Sequence, residues 1–228
     1  MDTEKRILSI AIDGPSGAGK STLARAAAKE LNLLYVDTGA IYRTVALHTL
    51  RRGVEPRDAA VEALLPEIGI TMEYDPGGLQ RMFLNGEDVT TLIRTQEVSM
   101  AASAVSAHPA VRAFLLEMQR DLAKRRSVIM DGRDIGTVVL PGADVKIFLT
   151  AGSEARARRR WLELQQRGTS KDFEQVLRET RERDANDMNR AAAPLRPAED
   201  AIMLDTTEIN FEESLERILA IIRGRTGL

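Results

Sequence analysis

The chain has 228 residues, 43% of them hydrophobic, and a formal net charge of −2; it can bury a substantial core, and it lacks the global charge that would draw it to nucleic acid or an anionic membrane. It contains no cysteine and two histidines, which excludes disulfides, thiolate nucleophiles and thiolate zinc sites and leaves oxygen and phosphate as ligands for any metal. The charged start MDTEKR is not a signal segment and no run of about 20 apolar residues follows, so the expectation is a cytoplasmic monomer with neither membrane nor nucleic-acid partner.

A strand is expected at Ile7 to Ile12, and it delivers the chain into GPSGAGKST. Gly14, the four residues Pro15, Ser16, Gly17 and Ala18, then Gly19, Lys20 and Ser21 fit G-x-x-x-x-G-K-[ST], with Thr22 following. Glycines let successive backbone N–H groups converge on one anion. Lys20 reaches the outer phosphates, Ser21 ligates Mg²⁺, and the helix from Lys20 to Leu31 offers its positive end. The implied ligand is a nucleoside triphosphate with Mg²⁺.

A second strand, Leu34 to Val36, leads into DTGAIYR and a helix from Ala40 to Arg51. Two readings fit Thr38 and Arg43: they bind a second phosphate at a helix start, or Asp37 or Thr38 merely caps the helix and Arg43 is solvated. From Val54 to His108 the pattern changes to a short helix after Pro56, strands at Ile70 to Tyr74 and Arg81 to Leu84, turns at Asp75 to Gly78 and Asn85–Gly86, and a helix near Gln96 to Ser106. This reads as an insertion.

A helix from Pro109 to Arg125 and a strand from Val128 to Met130 precede DGRDIGT, where Asp131 bears on the magnesium–phosphate region, Arg133 on phosphate and Asp134 on a ligand N–H; the competing reading is a surface ion pair between Arg133 and Asp134. After a strand from Val145 to Leu149, the helix from Ser153 to Arg167 carries Arg156, Arg159 and Arg160, which suit a lid over a transferring phosphoryl group, an exposed face or a nucleic-acid patch. In the helix from Phe173 to Met188, RERDANDMNR sets Arg183, Asp187 and Arg190 on one face, and a solvated ion-pair face explains that spacing equally. A strand at Ile202 to Leu204 and a helix from Phe211 to Arg223 complete the chain, with Gly168 and Gly224 as helix stops. Alternating strands and helices predict an α/β fold: a P-loop three-layer α/β/α arrangement on a five-stranded parallel sheet, with ligands beyond the strand ends that carry Asp13, Asp37, Asp131 and Thr150.

Taken together, GPSGAGKS, DTGAIYR, GEDVTTLIRTQEVSMAASAVSAHPAVR, DGRDIGTVVLPGADVKIFL and RERDANDMNRAAAPL resemble the bacterial cytidylate kinases of the P-loop nucleoside monophosphate kinase family, almost from end to end. The resemblance implies a core of residues 1–53, 109–151 and 169–228, a monophosphate-binding insertion at 54–108 and a lid at 152–168. It implies ATP as donor, held by the phosphate loop with Arg156 and Arg160, and CMP or dCMP as acceptor. Thr38, Arg43, Arg133 and Arg190 would hold the acceptor phosphate, Arg183 and Asp187 would lie at the sugar, and Ser103, Arg112 and Asp134 would read the base; Lys20, Arg133 and Arg190 would be catalytic. The base set is chemically coherent, since cytosine donates from N4 to Asp134 and Ser103 and accepts at N3 from Arg112, whereas uracil reverses both.

Overall fold

In the computed structural model, which describes residues 6–166 and 168–228, β1 (Ser9–Asp13) is buried on both faces between two parallel neighbours, as a central parallel strand must be. The sheet order is β2 (Leu34–Asp37), β6 (Val128–Gly132), β1, β7 (Val145–Thr150), β8 (Ile202–Asp205), all parallel. All five expected strands form. Ile10 and Ile12 of β1 point into a core built with α1 (Lys20–Glu30) and α8 (Phe211–Thr226), while Ala11 packs on the opposite side with Val36, Met130 and Ala123 of α5 (Pro109–Arg125). The period-2 alternation of one strand therefore produces the three layers.

Between β2 and α5 lie α2 (Thr38–Arg51), the short α3 (Val61–Leu64), an antiparallel sheet of β3 (Ile70–Tyr74), β4 (Gln80–Leu84) and β5 (Glu87–Asp88), and α4 (Gln96–Val105). Asn85 and Gly86 both have positive φ, as a two-residue hairpin turn between β4 and β5 requires. This sheet does not own a separate core, because Ile70, Met82 and Leu84 share one apolar cluster with Ile41 and Val45 of α2 and Val111 and Leu115 of α5. α6 (Ser153–Gln166) and α7 (Phe173–Asn189) form a hairpin around Ala157, Leu164, Val176 and Leu177.

Most element boundaries shift by one to three residues from expectation, and three differences have a clear physical content. α2 begins at Thr38 rather than Ala40, because Asp37, the last residue of β2, caps it by accepting from Ala40 N at 2.9 Å. Gly224 does not stop α8, which runs to Thr226 and ends on Gly227 at φ 76°. DGRDIGT continues into a π-helical turn, Ile135–Val139, a form that recurs at functional sites. The helix end expected at Arg167 and the first five residues of the charged start lie outside the described residues.

Candidate active site

The carboxyl ends of β1, β2 and β6 open onto one cavity of about 840 Å³. Ser16 to Thr22 line one part of it; Thr38, Arg43, Ser103, Arg112, Arg133, Asp134, Arg183, Asp187 and Arg190 line another, and Arg156 and Arg160 border it. Every expected contact residue except Gly14 and Pro15, which are buried beneath the loop, therefore meets this one space.

The phosphate loop is shaped by positive φ at Gly14, Gly17 and Gly19. At Gly14 a Cβ would lie 1.9 Å from the Leu149 carbonyl oxygen, so no side chain fits under the loop. Gly19 precedes α1 without a side-chain cap, and the first turn holds no acid but Lys20. Its free N–H groups and cationic side chain are the inverse of ordinary helix capping and suit an anion. Lys20 is buried, its Nζ donating to Pro15 O at 2.7 Å; burial, and then the Arg133 charge, push its pKa down from the usual lysine range.

Behind the loop Asp131 receives three hydroxyls. Ser21 Oγ donates to one carboxylate oxygen at 2.8 Å, Tyr35 to the other at 2.8 Å, and Thr38 Oγ1 to its main-chain oxygen at 2.7 Å. Burial, and then Asp131, push the Tyr35 phenol up, so it remains a donor. Ser21 and Asp131 thus present adjacent oxygen ligands of the kind Mg²⁺ prefers, although among the described residues no group of three acids or histidines could hold a cation unaided. Asp13 accepts from the N–H groups of Ile135 and Gly136 at 2.8 and 2.7 Å and so pins the turn after Arg133 and Asp134; burial raises its pKa to about 6.

Across the cavity, Asp37 both caps α2 and accepts from Arg43 at 2.8 Å, so the cap of the second reading of DTGAIYR forms, while Arg43 is paired rather than solvated. Arg133 and Asp134 do not pair with each other. Arg133 Nε donates to Asp187 at 2.8 Å, while the Asp134 carboxylate sits between Arg112, to which it is hydrogen-bonded, and Arg190 at 3.5 Å. The solvated-face reading of α7 also fails, because Asp187 is buried and the Nε of Arg183 is buried without a hydrogen-bond partner among the described residues. Burial, and then Arg133, lower the Arg183 pKa to about 10. Burial works to raise Asp187, but Arg133, Arg183 and Arg190 outweigh it and hold the carboxyl below its ordinary range.

Arg156 is neither a free lid arginine nor a solvated one. It is 4% exposed; its guanidinium makes a bidentate pair with Asp184 at 2.9 and 2.5 Å and donates to Ser16 O and Ala151 O at 3.0 and 2.8 Å. Arg159 donates to Thr206 O at 2.5 Å, and Arg160 pairs with Glu163 at 3.1 Å while half-exposed at the cavity rim. No role is visible in the sequence for Tyr35, Gln80, Asp184 or Thr206; their partners are remote in the chain, and no local spacing marks them.

The family model for cytidylate kinase matches residues 10–224. A cytidylate kinase of Desulfitobacterium hafniense (strain Y51) is 49% identical over 222 residues, covering 97% of this chain and 95% of that one, and one of Caldicellulosiruptor bescii is 51% identical over 215 residues, covering 94% and 95%. Among solved structures, a shikimate kinase from Bacteroides thetaiotaomicron superimposes with a TM-score of 0.50 at 16% identity, covering 96% of this chain and 99% of its own, which supports the α/β kinase fold alone. The chain is a phosphotransferase of the cytidylate kinase family.

Proposed function

We propose that the chain transfers the γ-phosphoryl group of ATP to a 5′-phosphate oxygen of CMP or dCMP, giving CDP or dCDP and ADP. The observation that carries this reading is that the phosphate loop and the cluster of Arg43, Arg133, Arg183 and Arg190 face a single cavity. An acceptor oxygen attacks the γ-phosphorus and the bond to the β,γ-bridging oxygen breaks. The acceptor is already anionic, so no general base is required, and the chain's contribution is alignment and stabilisation of charge.

Lys20 and the loop N–H groups hold the donor phosphates, and Arg133 and Arg190 bracket the transferring group. Thr38 and Arg43 fix the acceptor phosphate, and Arg183 and Asp187 lie at its sugar. Mg²⁺ bound by Ser21 and nucleotide oxygens, with Asp131 behind, would neutralise charge on the transferring phosphates. Arg156 acts in this reading as a positioning residue, steadying the loop through Ser16 O, rather than as the ATP contact expected from sequence; Arg160, at the rim, keeps the donor-side role. Residues 54–108 serve the acceptor and 152–168 the lid. The protein works as a cytoplasmic monomer on small nucleotides alone.

Cytosine would donate to Asp134 and Ser103 and accept from Arg112. Uracil would set an acceptor against the carboxylate and a donor against the guanidinium, at about 1 to 3 kcal/mol for each group left unsatisfied and more where it is charged. A coupled ADP-release assay with CMP, dCMP, UMP and AMP tests this. ATP consumption should require an added monophosphate, with CMP and dCMP preferred at least tenfold in kcat/KM; equal kcat/KM for UMP would overturn the assignment.

A further inference from the structure

We propose that Gln80, in the inserted sheet, is a positioning residue for the acceptor phosphate, acting through Asp37 on Arg43. The proposal rests on the reading above that Arg43 holds that phosphate.

β2 is an edge strand, bonded on one side to β6. On the outer side of its last residue, Gln80 supplies what a neighbouring strand would: its Oε1 accepts from Asp37 N at 2.8 Å and its Nε2 donates to Asp37 O at 3.3 Å. The Asp37 N–H can only donate, which fixes the orientation of the amide. Gln80 is 3% exposed and its remaining surroundings are soft and apolar, with Met82 and Met72 sulfurs 3.0 and 3.6 Å from Nε2. A primary amide in such a place is stable only when its polar atoms are partnered; its oxygen and nitrogen partners are the N–H and C=O of Asp37, and the two thioether sulfurs are only weak acceptors for Nε2.

The consequence reaches the cavity. With its backbone clamped on both sides, Asp37 directs one carboxylate oxygen to Ala40 N and the other to Arg43 at 2.8 Å. Arg43 in turn presents a buried Nε with no hydrogen-bond partner among the described residues, and it lines the cavity. The space is tight: a Cβ at Gly39 would meet both Arg43 Nη1 and Asp37 Oδ1 at 3.1 Å. Gln80 thus connects the inserted sheet to the acceptor arginine across 43 residues of sequence.

The test is Gln80→Met, which matches the shape of glutamine, suits the neighbouring methionines and removes both hydrogen bonds. KM for CMP should rise about five- to tenfold, the effect of losing a modest hydrogen bond, with kcat and KM for ATP within about twofold of the parent. Combined with Arg43→Ala, it should add nothing, since contributions that act through one another are not additive. Should Gln80→Met fail to fold, Gln80→Glu keeps the shape and the acceptor toward Asp37 N–H but opposes an oxygen to Asp37 O, and must raise KM for CMP in the same way. A rise in both KM values together, or effects of Gln80 and Arg43 that multiply in the double variant, would overturn the proposal. An unchanged KM with Gln80→Met alongside a raised one with Arg43→Ala would sink the Gln80 role alone; an unchanged KM with Arg43→Ala would sink the acceptor-phosphate reading itself.

Discussion

Replacing Arg156 with leucine should destabilise the protein by about 3 to 5 kcal/mol, the range for breaking a buried ion pair from one side. Arg156 is 4% and Asp184 9% exposed, so the abandoned carboxylate cannot simply rehydrate, and Ser16 O and Ala151 O lose their donors at the same stroke. At roughly 2 to 4 °C per kcal/mol for a chain of this size, Tm should fall by about 6 to 20 °C. Urea unfolding at constant m-value and a thermal scan measure the effect directly. The companion Asp184→Leu should be comparably unstable, and Arg156→Leu/Asp184→Leu should be more stable than either, because two apolar side chains replace the pair; about 1 kcal/mol for each deserted carbonyl should remain. Where the variants are folded, Arg156→Leu should raise KM for ATP and spare that for CMP, since the carbonyl it serves belongs to the phosphate loop. A loss below about 1 kcal/mol, or a double variant as unstable as the sum of the singles, would refute the reasoning.

Lys20→Ala should lower kcat by about 100-fold or more in the coupled assay while leaving the urea midpoint nearly unchanged, because in the proposed mechanism the ammonium acts on phosphoryl charge and within the fold it donates to a single carbonyl, Pro15 O. Gly14→Ala places a methyl 1.9 Å from the Leu149 carbonyl oxygen at φ 148°, so it should lose about 3 kcal/mol or more on denaturation together with ATP binding by calorimetry. Asp13, with a folded pKa of about 6 against an ordinary 3.8, holds its proton more tightly when folded, so its contribution to stability is present below pH ~4 and lost as pH rises through about 6, up to about 3 kcal/mol. Urea titrations between pH 4 and 7 should therefore show Asp13→Asn at its greatest disadvantage to the parent near pH 4 and least above pH ~6.5; a constant difference would count against this.

The sheet was readable because its inner strands are buried on both faces, which forces short apolar runs such as Ile10 to Ile12 and Val128 to Met130. β5 was not, being two exposed acidic residues, Glu87 and Asp88, held by backbone pairing to Leu84 and Phe83 and by side-chain pairs with Arg51 and Arg81. Gly224 looked like a stop because glycine weakens helices, yet only its sequence favours one there. The actual terminus is Gly227, whose φ of 76° few other residues tolerate. At the site, the phosphate loop and DTGAIYR were legible because their chemistry is local: a few successive residues make the whole cradle or cap. The burial and pairing of Arg156 were not legible because its partner, Asp184, lies 28 residues away on another helix and the spacing within Arg156 to Arg160 says nothing of it. Gln80 was invisible for the same reason, as a polar residue opening a strand whose meaning depends on an edge 43 residues earlier.

These long-range pairs also explain how so many guanidiniums share one cavity. Arg43, Arg112, Arg133, Arg183 and Arg190 would repel one another strongly if buried alone, and the lowered pKa of Arg183 and of Arg190 registers that strain, burial first and neighbouring arginines next. Asp37, Asp134 and Asp187 each hold one or two of them in place, which keeps the cluster compatible with folding. The positive surplus left, about two charges, matches a monophosphate near neutral pH, which carries about −1.5 to −2. A neutral alcohol acceptor would leave that surplus unanswered. The charge balance therefore favours a phosphate-bearing acceptor independently of any base contact, and inorganic phosphate should compete with CMP but not with ATP; competition against ATP instead would place the surplus on the donor side and undo the assignment.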